Sequence, residues 1–250
     1  MTKNHNFFLN LAFQLAENNL GQTGLNPSVG TVVVKNNAVI SSGFTSITGR
    51  PHAEFNALNK IKNAQGATVY TSLEPCVHKG KTPPCTDIII KKKIRNVYYA
   101  YNDPDIRTFK KAKKILNKKG IKAKLIKSKK YNNFYKYYFI NKKFNIPFIS
   151  AKIAISKDSF TINTKKKWIT NNFSRKITHL IRSRYGAIIS TSKSINCDNA
   201  LLNCRIDGLN NHKPDLFIID LNLKLKKKLL LNKILNKRKT YLITRKTNYK

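Results

Sequence analysis

The segments PHAE (residues 51–54) and LEPCVHKGKTPPC (residues 73–85) decide the fold predicted for this chain. Each stands where a helix is expected to begin: apolar residues recur at helical spacing after residue 54, and a second helix is predicted from Pro84. β-Strands are predicted on either side of the second segment, at residues 67–73 and 97–101. Alternation of helices and strands predicts an α/β fold with a pocket at the edge of its sheet.

The flanking sequence continues this alternation. The turn signal Asn36-Asn37 joins two β-branched runs and predicts a β-hairpin. The predicted helices are 5–19, 53–62, 84–92 and 109–118, and the predicted strands are 29–35, 38–43, 67–73, 97–101 and 122–126. Together these elements predict a three-layer α/β domain over residues 1–145.

A second, smaller domain is predicted over residues 146–250, after a Lys- and Tyr-rich stretch at 127–145. Its predicted elements are a helix at 172–184 and strands at 148–155, 187–190, 216–220 and 241–244. The pattern begins like a nucleotide-binding α/β domain and then stops. We therefore expect a sheet that is incomplete or completed by a partner chain.

The formal net charge of the chain is +38. Dense Lys and Arg is typical of nucleic-acid binding, because these residues neutralise phosphate. Here the lysines are spread along the whole chain among abundant Asn and Ile, as codon drift toward A and T would produce. Attraction of phosphorylated small molecules and nucleic-acid binding stay open, but drift is the interpretation we favour, so a nucleic-acid partner is not expected.

The N-terminal stretch lacks the pattern of a secretory signal, and no apolar run approaches the roughly 20 residues of a bilayer span. We therefore expect a cytoplasmic protein without a membrane partner, whose four cysteines remain free thiols. Cys197 and Cys204 have no metal-type residues nearby and are interpreted as ordinary thiols. Cys76 and Cys85 are candidate metal ligands.

His52, Cys76 and Cys85 are the predicted ligands of a catalytic zinc ion. Helix N-termini favour the thiolate that zinc requires, and three protein ligands leave the fourth tetrahedral position open for water. Glu54, close by but not a ligand, is the predicted proton shuttle. The same elements, His-x-Glu followed by Pro-Cys and a second Cys, form the signature of zinc deaminases. A closed structural site with His78 as fourth ligand is the alternative.

Eight residues separate the two cysteines, whereas nucleoside and tRNA deaminases usually have two. With Asn26-Pro27-Ser28-Val29-Gly30, the two opening segments closely resemble the bifunctional deaminase/reductase family of bacterial riboflavin biosynthesis. The resemblance implies a cytidine-deaminase-like domain followed by a dihydrofolate-reductase-like α/β domain. It implies zinc-dependent hydrolytic deamination of diaminohydroxyphosphoribosylaminopyrimidine to 5-amino-6-(5-phosphoribosylamino)uracil.

The resemblance also assigns substrate contacts in the first domain. Asn26 would hydrogen-bond the pyrimidine, and His78 and Lys81 would help hold a phosphoribosylated substrate. Thr45 stands where the family usually has a His, so the substrate contacts near residue 45 are expected to differ from those of the family.

In the second domain, the resemblance places Ala154, Trp168, Ser194 and Asp198 at the NADPH site and Arg182, Leu202 and Arg205 at the substrate. The family's Gly and Asp-Pro are replaced by Ser159 and by Asn199-Ala200. The chain reaches Lys250 before the family's Gly-rich segment, so we expect a truncated domain whose NADPH-dependent reductase activity is weak or absent. Its alternative roles are packing, formation of a homo-oligomer, or pairing with a separate reductase chain.

Two rival functions remain open from the sequence. One is a tRNA or nucleotide deaminase, favoured by the charge and disfavoured by the long inter-cysteine segment. The other is a catalytically silent RNA-binding remnant, which the intact His52, Glu54, Cys76 and Cys85 argue against.

Overall fold

The computed structural model describes residues 3–127, 130–161, 168–210 and 213–245. It contains two compact units, which divide between Ser150 and Ala151. None of the helices in the described ranges combines the length and the apolar composition needed to cross a bilayer.

The first unit is built on a five-stranded sheet. Its strands are β1 (Gly30–Lys35), β2 (Ala38–Phe44), β3 (Thr68–Thr71), β4 (Asn96–Tyr99) and β5 (Lys122–Leu125). The order is β2-β1-β3-β4-β5: β1 runs antiparallel to β2 and β3, and β3, β4 and β5 run parallel. The helices are α1 (Lys3–Glu17), α2 (Ala53–Leu58), α3 (Cys85–Lys91), α4 (Ala112–Lys118) and α5 (Lys136–Phe144).

Side chains alternate across this sheet and build one core on each face, because successive residues of a strand point to opposite sides. In β1, Val32 and Val34 join the core that contains Phe13 of α1, whereas Val33 joins the other core. That second core receives residues of α2, α3 and α4, including Ile89. The predicted three-layer α/β fold is therefore confirmed.

The hairpin between β1 and β2 is also confirmed. Lys35 pairs with Ala38, and the turn residues Asn36 and Asn37 have φ angles of 51° and 61°. Asn tolerates this left-handed region better than other residues with side chains, which is why the pair was informative in the sequence.

Helix α5 lies in a stretch for which the sequence predicts only a Lys- and Tyr-rich connection. Tyr135, the residue before the helix, and Tyr138 within it are buried, with exposures of 1% and 4%. The hydroxyl of Tyr135 lies 2.6 Å from Ser72 Oγ and donates to Ser28 O at 3.1 Å. The tyrosine rings supply apolar surface to the core while the hydroxyls keep partners, so a stretch that looks polar packs as a core helix.

The second unit contains a three-stranded parallel sheet. Its elements are helix α6 (Asn172–Ser183), strand β6 (Ala187–Thr191), helix α7 (Ser192–Asp198), strand β7 (Asp215–Ile219), a 3-10 segment (Leu230–Lys237) and strand β8 (Thr240–Ile243). The order is β6-β7-β8. The predicted helix and the three later strands are confirmed, each within two residues. Its core is small and consists of Ile195, Leu216, Ile218, Leu229 and Leu231.

The strand predicted at residues 148–155 is wrong, because this stretch has no regular secondary structure. Ile149 and Ile153 are 74% and 70% exposed. A strand requires a neighbouring strand to satisfy its backbone N–H and C=O groups. Apolar β-branched residues alone do not supply that neighbour.

Candidate active site

His52 is positioned by the close packing of α2 on β2. A Cβ atom at Gly43 would lie 2.6 Å from Ala53 O and 2.5 Å from Ala57 N, so only glycine allows this approach. The hydroxyl of Ser41 donates to Ala57 O at 2.7 Å and adds a polar link. His52 is the N-cap residue of α2, one position before the first turn in which the sequence places it.

The segment between the two cysteines folds back so that their side chains meet. Cys85 is the first residue of α3, one position after the predicted helix start at Pro84, and its backbone N–H donates to Cys76 Sγ at 3.2 Å. The backbone N–H of Thr86 donates to Cys76 O at 3.2 Å. Cys76 is therefore held against the start of α3 at both its thiol and its carbonyl.

The imidazole and the two thiols form a single cluster. His52 Nδ1 lies 3.3 Å from Cys85 Sγ and 3.5 Å from Cys76 Sγ, and the ligand atoms of all three residues lie within 4.8 Å of one another. One imidazole and two thiolates are a donor set that zinc accepts. Within the described ranges His78 is not a member of this group, and its Nδ1 instead lies 3.1 Å from Thr108 Oγ1. That arrangement disfavours a closed structural site.

Glu54 lies beside the cluster and is 3% exposed. Its Oε2 accepts a hydrogen bond from Cys85 Sγ at 3.4 Å. Burial, reinforced by the negative charge of Cys76, raises the pKa of Glu54 to about 7. This carboxyl group can therefore both take up and release a proton near neutral pH.

The two thiols differ in acidity. Hydrogen bonds with the side chains of Cys85 and His52 lower the pKa of Cys76 to about 4. The hydrogen bond to Cys76 and complete burial raise the pKa of Cys85 well above its usual value. The start of α3 therefore does not favour a thiolate at Cys85 itself, and Cys76, which accepts a hydrogen bond from Cys85 N at that start, is the more acidic thiol.

A cleft opens beside the cluster. Asn26, Thr45 and His78 line it, and Asn26 Nδ2 donates to Gly49 O at 3.0 Å. Thr45 is buried, and its hydroxyl accepts from Val29 N at 2.9 Å. Lys81 is exposed and does not line the cleft.

Another part of the cleft wall consists of residues to which the sequence assigns no role. Asp103 Oδ1 accepts from Asp105 N at 2.9 Å and from Tyr138 OH at 3.0 Å, and Asp105 forms ion pairs with Arg107 at 2.6 Å and Lys142 at 3.1 Å. These five residues all line the cleft.

The carboxylate of Glu74 holds this wall in place by accepting from the backbone N–H groups of Asp103, Lys110 and Ala112 at 3.0–3.1 Å. The sequence did contain a signal for Asp103. This residue follows β4 at the carboxyl end of a parallel strand, where α/β proteins place their ligand-binding sites. The sequence offered no signal for Lys142, because it lies on the unpredicted helix α5.

In the second unit, the residues assigned to the substrate by resemblance lie around one loop. Arg182 donates to Asn203 O at 3.2 Å, and Arg205 donates to Asn203 Oδ1 at 3.1 Å. Leu202, the residue before Asn203, has a φ angle of 51°.

The residues assigned to NADPH are dispersed in the chain. Ser194 and Asp198 are exposed on α7, and Ala154 lies in the irregular stretch that opens the unit. The guanidinium of Arg175 lies over the ring of Trp168, at 4.7 Å from its centroid.

Two family models match the chain. Residues 2–101 match the cytidine and deoxycytidylate deaminase zinc-binding region, and residues 147–250 match the RibD C-terminal domain. The first match contains the three residues of the cluster and Glu54.

Curated relatives agree with both matches. The riboflavin biosynthesis protein RibD of Buchnera aphidicola subsp. Baizongia pistaciae is 38% identical over 214 residues, which are 84% of this chain and 58% of that protein. The RibD protein of Aquifex aeolicus is 34% identical over 252 residues, which are 97% of this chain and 69% of that protein. The chain thus spans less than two thirds of the Buchnera relative and slightly more than two thirds of the Aquifex relative.

Solved structures show the same fold. A diaminohydroxyphosphoribosylaminopyrimidine deaminase/5-amino-6-(5-phosphoribosylamino)uracil reductase from Thermotoga maritima superposes with a TM-score of 0.87 at 29% identity, over 99% of this chain and 71% of that one. RibD from Acinetobacter baumannii superposes with a TM-score of 0.86 at 29% identity, over 100% of this chain and 71% of that one. A cytidine-deaminase-like domain followed by a RibD C-terminal domain is therefore confirmed, and the chain belongs to the family of the riboflavin biosynthesis protein RibD.

Proposed function

We propose that the first unit catalyses zinc-dependent hydrolytic deamination of diaminohydroxyphosphoribosylaminopyrimidine to 5-amino-6-(5-phosphoribosylamino)uracil. The observation that carries the proposal is the cluster of His52, Cys76 and Cys85 beside the buried carboxyl group of Glu54. Three ligands beside a proton-accepting group are the parts that hydrolytic deamination needs.

His52, Cys76 and Cys85 would hold the zinc ion, which when bound supplies Lewis-acid activation of a water molecule. Glu54 Oε2 would take a proton from the attacking water and later deliver it to the departing amine. Burial, the largest cause of the raised pKa of Glu54, brings this carboxyl group closer to the range in which it can be a base in one transfer and an acid in the other. Burial of Glu54 excludes bulk water from this proton path.

The choice of substrate is supported by the relatives and by the cleft. The Thermotoga protein is named as a deaminase of this pyrimidine and as a reductase of 5-amino-6-(5-phosphoribosylamino)uracil. Asn26 and His78 line the cleft and are proposed to contact the substrate, whereas Lys81 lies on the exposed inter-cysteine segment and is proposed to act only at the cleft entrance.

A reductase role for the second unit has weaker support. The match to the RibD C-terminal domain is consistent with NADPH, with Arg182, Leu202 and Arg205 as proposed substrate contacts and Ala154, Trp168, Ser194 and Asp198 as proposed cofactor contacts. However, Gly186 and Gly208 are the only glycines of residues 151–250 and stand far apart, so this segment offers no Gly-rich turn to seat the cofactor's phosphates. The residues present therefore do not fit the dinucleotide by themselves.

We also propose a cellular location and a protein partner for this chain. Thiol ligands require a reducing compartment, which supports a cytoplasmic location. A second copy or a separate reductase chain is the proposed partner of the second unit, whose sheet exposes apolar residues such as Ile189. Size-exclusion chromatography of the purified chain tests for self-association.

The test of the activity is ammonia release by the zinc-loaded chain. We expect turnover of the phosphoribosylated diaminopyrimidine and none of cytidine or tRNA at matched ionic strength. Ammonia release from tRNA alone would overturn the proposal and favour an RNA deaminase.

A further inference from the structure

Arg50 stands apart from the other cations of the cleft. Three cationic residues, Arg50, Arg107 and Lys142, line it. Arg107 and Lys142 both form ion pairs with Asp105. Their charge is therefore partly neutralised within the wall, whereas Arg50 forms no ion pair with an acidic side chain of the described residues.

The guanidinium of Arg50 is also short of hydrogen-bond partners. Its Nε is buried and has no hydrogen-bond partner among the described residues. Buried polar groups in proteins are nearly always paired, since an unpaired donor loses its hydration without compensation. An unpaired donor in the wall of a cleft is available to a ligand that offers an acceptor.

The position of Arg50 fits contact with a part of the substrate away from the reacting carbon. It is two residues before His52, and its terminal nitrogen would lie 3.7 Å from a Cβ atom at Gly80. The absence of a side chain at Gly80 leaves room beside the guanidinium on the inter-cysteine segment. Arg50 thus lines the same cleft as His52 and lies close to Gly80 of the inter-cysteine segment.

We propose that Arg50 binds the phosphate group of the substrate and selects phosphorylated over unphosphorylated pyrimidines; this rests on the proposed deaminase function. A planar guanidinium binds phosphate through two parallel charge-assisted hydrogen bonds. Asp105 already engages Arg107 and Lys142, so the unpaired guanidinium of Arg50 is the cation of the cleft that is most available to a phosphate. Lys81, exposed outside the cleft lining, is not its main anchor.

The test compares Arg50→Met with Arg95→Met in the zinc-loaded full chain. Arg95 is exposed just before β4 and does not line the cleft, so its variant controls for the loss of one charge. Each variant is assayed with the phosphoribosylated diaminopyrimidine and with its dephosphorylated ribosyl counterpart. Binding of ribose 5-phosphate is measured by calorimetry as a readout that needs no turnover, and zinc content checks that the cluster is intact.

We expect Arg50→Met to lower kcat/KM for the phosphorylated substrate by about 10- to 100-fold, with no change for the dephosphorylated one. Arg50→Lys should recover part of the loss, and Arg95→Met should match the wild type. Equal losses on both substrates, or no loss on either, would overturn the role of Arg50. If the wild type deaminates neither substrate but binds ribose 5-phosphate through Arg50, the proposed reaction fails while the phosphate site stands.

Discussion

The sheets of the two units differ in how far their faces are covered. In the first unit, five of the six residues of β1 are buried. In the second, only β7 has buried positions, while β6 and β8 present Ile189, Tyr241 and Ile243 with exposures of 61%, 43% and 43%. A sheet packed on both faces fixes the ends of its strands and helices, and the metal-ligand cluster is built on such ends.

Both units match the same family, but their predicted site residues are held in different ways. His52 and Cys85 lie at the starts of helices that pack on a buried sheet. The loop around Asn203 in the second unit is held by arginine side chains that bond to its carbonyl and amide oxygens. A site held by packed helix starts keeps its geometry better than one held mainly by side-chain hydrogen bonds to a loop.

The largest effect is expected for a substitution at Glu54, which tests whether the first unit catalyses the deamination. Glu54→Gln removes only the proton shuttle, so deamination should fall by about 10²- to 10⁴-fold while zinc stays bound. Ammonia release and zinc content are the measurements, with Glu17→Gln, an exposed glutamate of α1, as the control. Turnover retained in Glu54→Gln would mean that another group carries the proton.

A second prediction contrasts one buried cysteine from each unit. Cys85 and Cys204 are 3% and 1% exposed. Cys85→Ser should lower zinc affinity by more than about 100-fold, because it removes a ligand, whereas Cys204→Ser should leave zinc content unchanged. Emission spectroscopy of the purified variants provides the readout. Loss of zinc from the Cys204 variant would contradict the assignment of the ligands.

A third prediction tests the coverage of the two sheets. Ile89 in α3 is fully buried, whereas Ile189 in β6 is 61% exposed. Ile89→Ala should reduce the free energy of unfolding by about 2–5 kcal/mol, and Ile189→Ala should change it by no more than about 0.5 kcal/mol. Urea denaturation followed by circular dichroism measures both. A large loss for Ile189→Ala would show that another surface covers this face in solution.

The sequence predicted those features that depend on local chemistry. Asn36-Asn37 identified the hairpin, and the helix start at Pro84 placed Cys85 correctly, because turn and cap preferences act within a few residues. Helix α5 was missed because Tyr138 becomes a core residue only through contacts with distant parts of the chain. For the same reason no sequence pattern identified Arg50. Its proposed role depends on the ion pairs of Arg107 and Lys142 with Asp105, which form only in the folded chain.

The smallest expected effect contrasts the pH dependence of two buried carboxyl groups. Burial raises the pKa of Asp103 from its ordinary value of 3.8 to about 6, despite hydrogen bonds from Asp105 N and Tyr138 OH. The neutral form of Asp103 therefore stabilises the folded chain fully below about pH 4, and this contribution is lost as pH rises through 6.

The buried carboxyl group of Asp220 has the opposite pH dependence. Burial opposes its ionisation, but hydrogen bonds from Lys224 N, Ser192 Oγ and Leu225 N leave its pKa below 3.8. Its stabilisation is present above about pH 4 and is lost on acidification.

Asp103→Asn and Asp220→Asn separate these two contributions. Between pH 4.5 and 7.5, Asp103→Asn should gain stability relative to the wild type by at most about 3 kcal/mol, because the wild type must ionise a buried acid over this range. Asp220→Asn should be less stable than the wild type at pH 7.5, with a deficit that shrinks as the pH falls toward 4. Urea denaturation at several pH values measures both differences. If the stability differences of the two variants changed with pH in the same direction, the two carboxyl groups would have similar environments. The contrast between the units would then not extend to their buried acids.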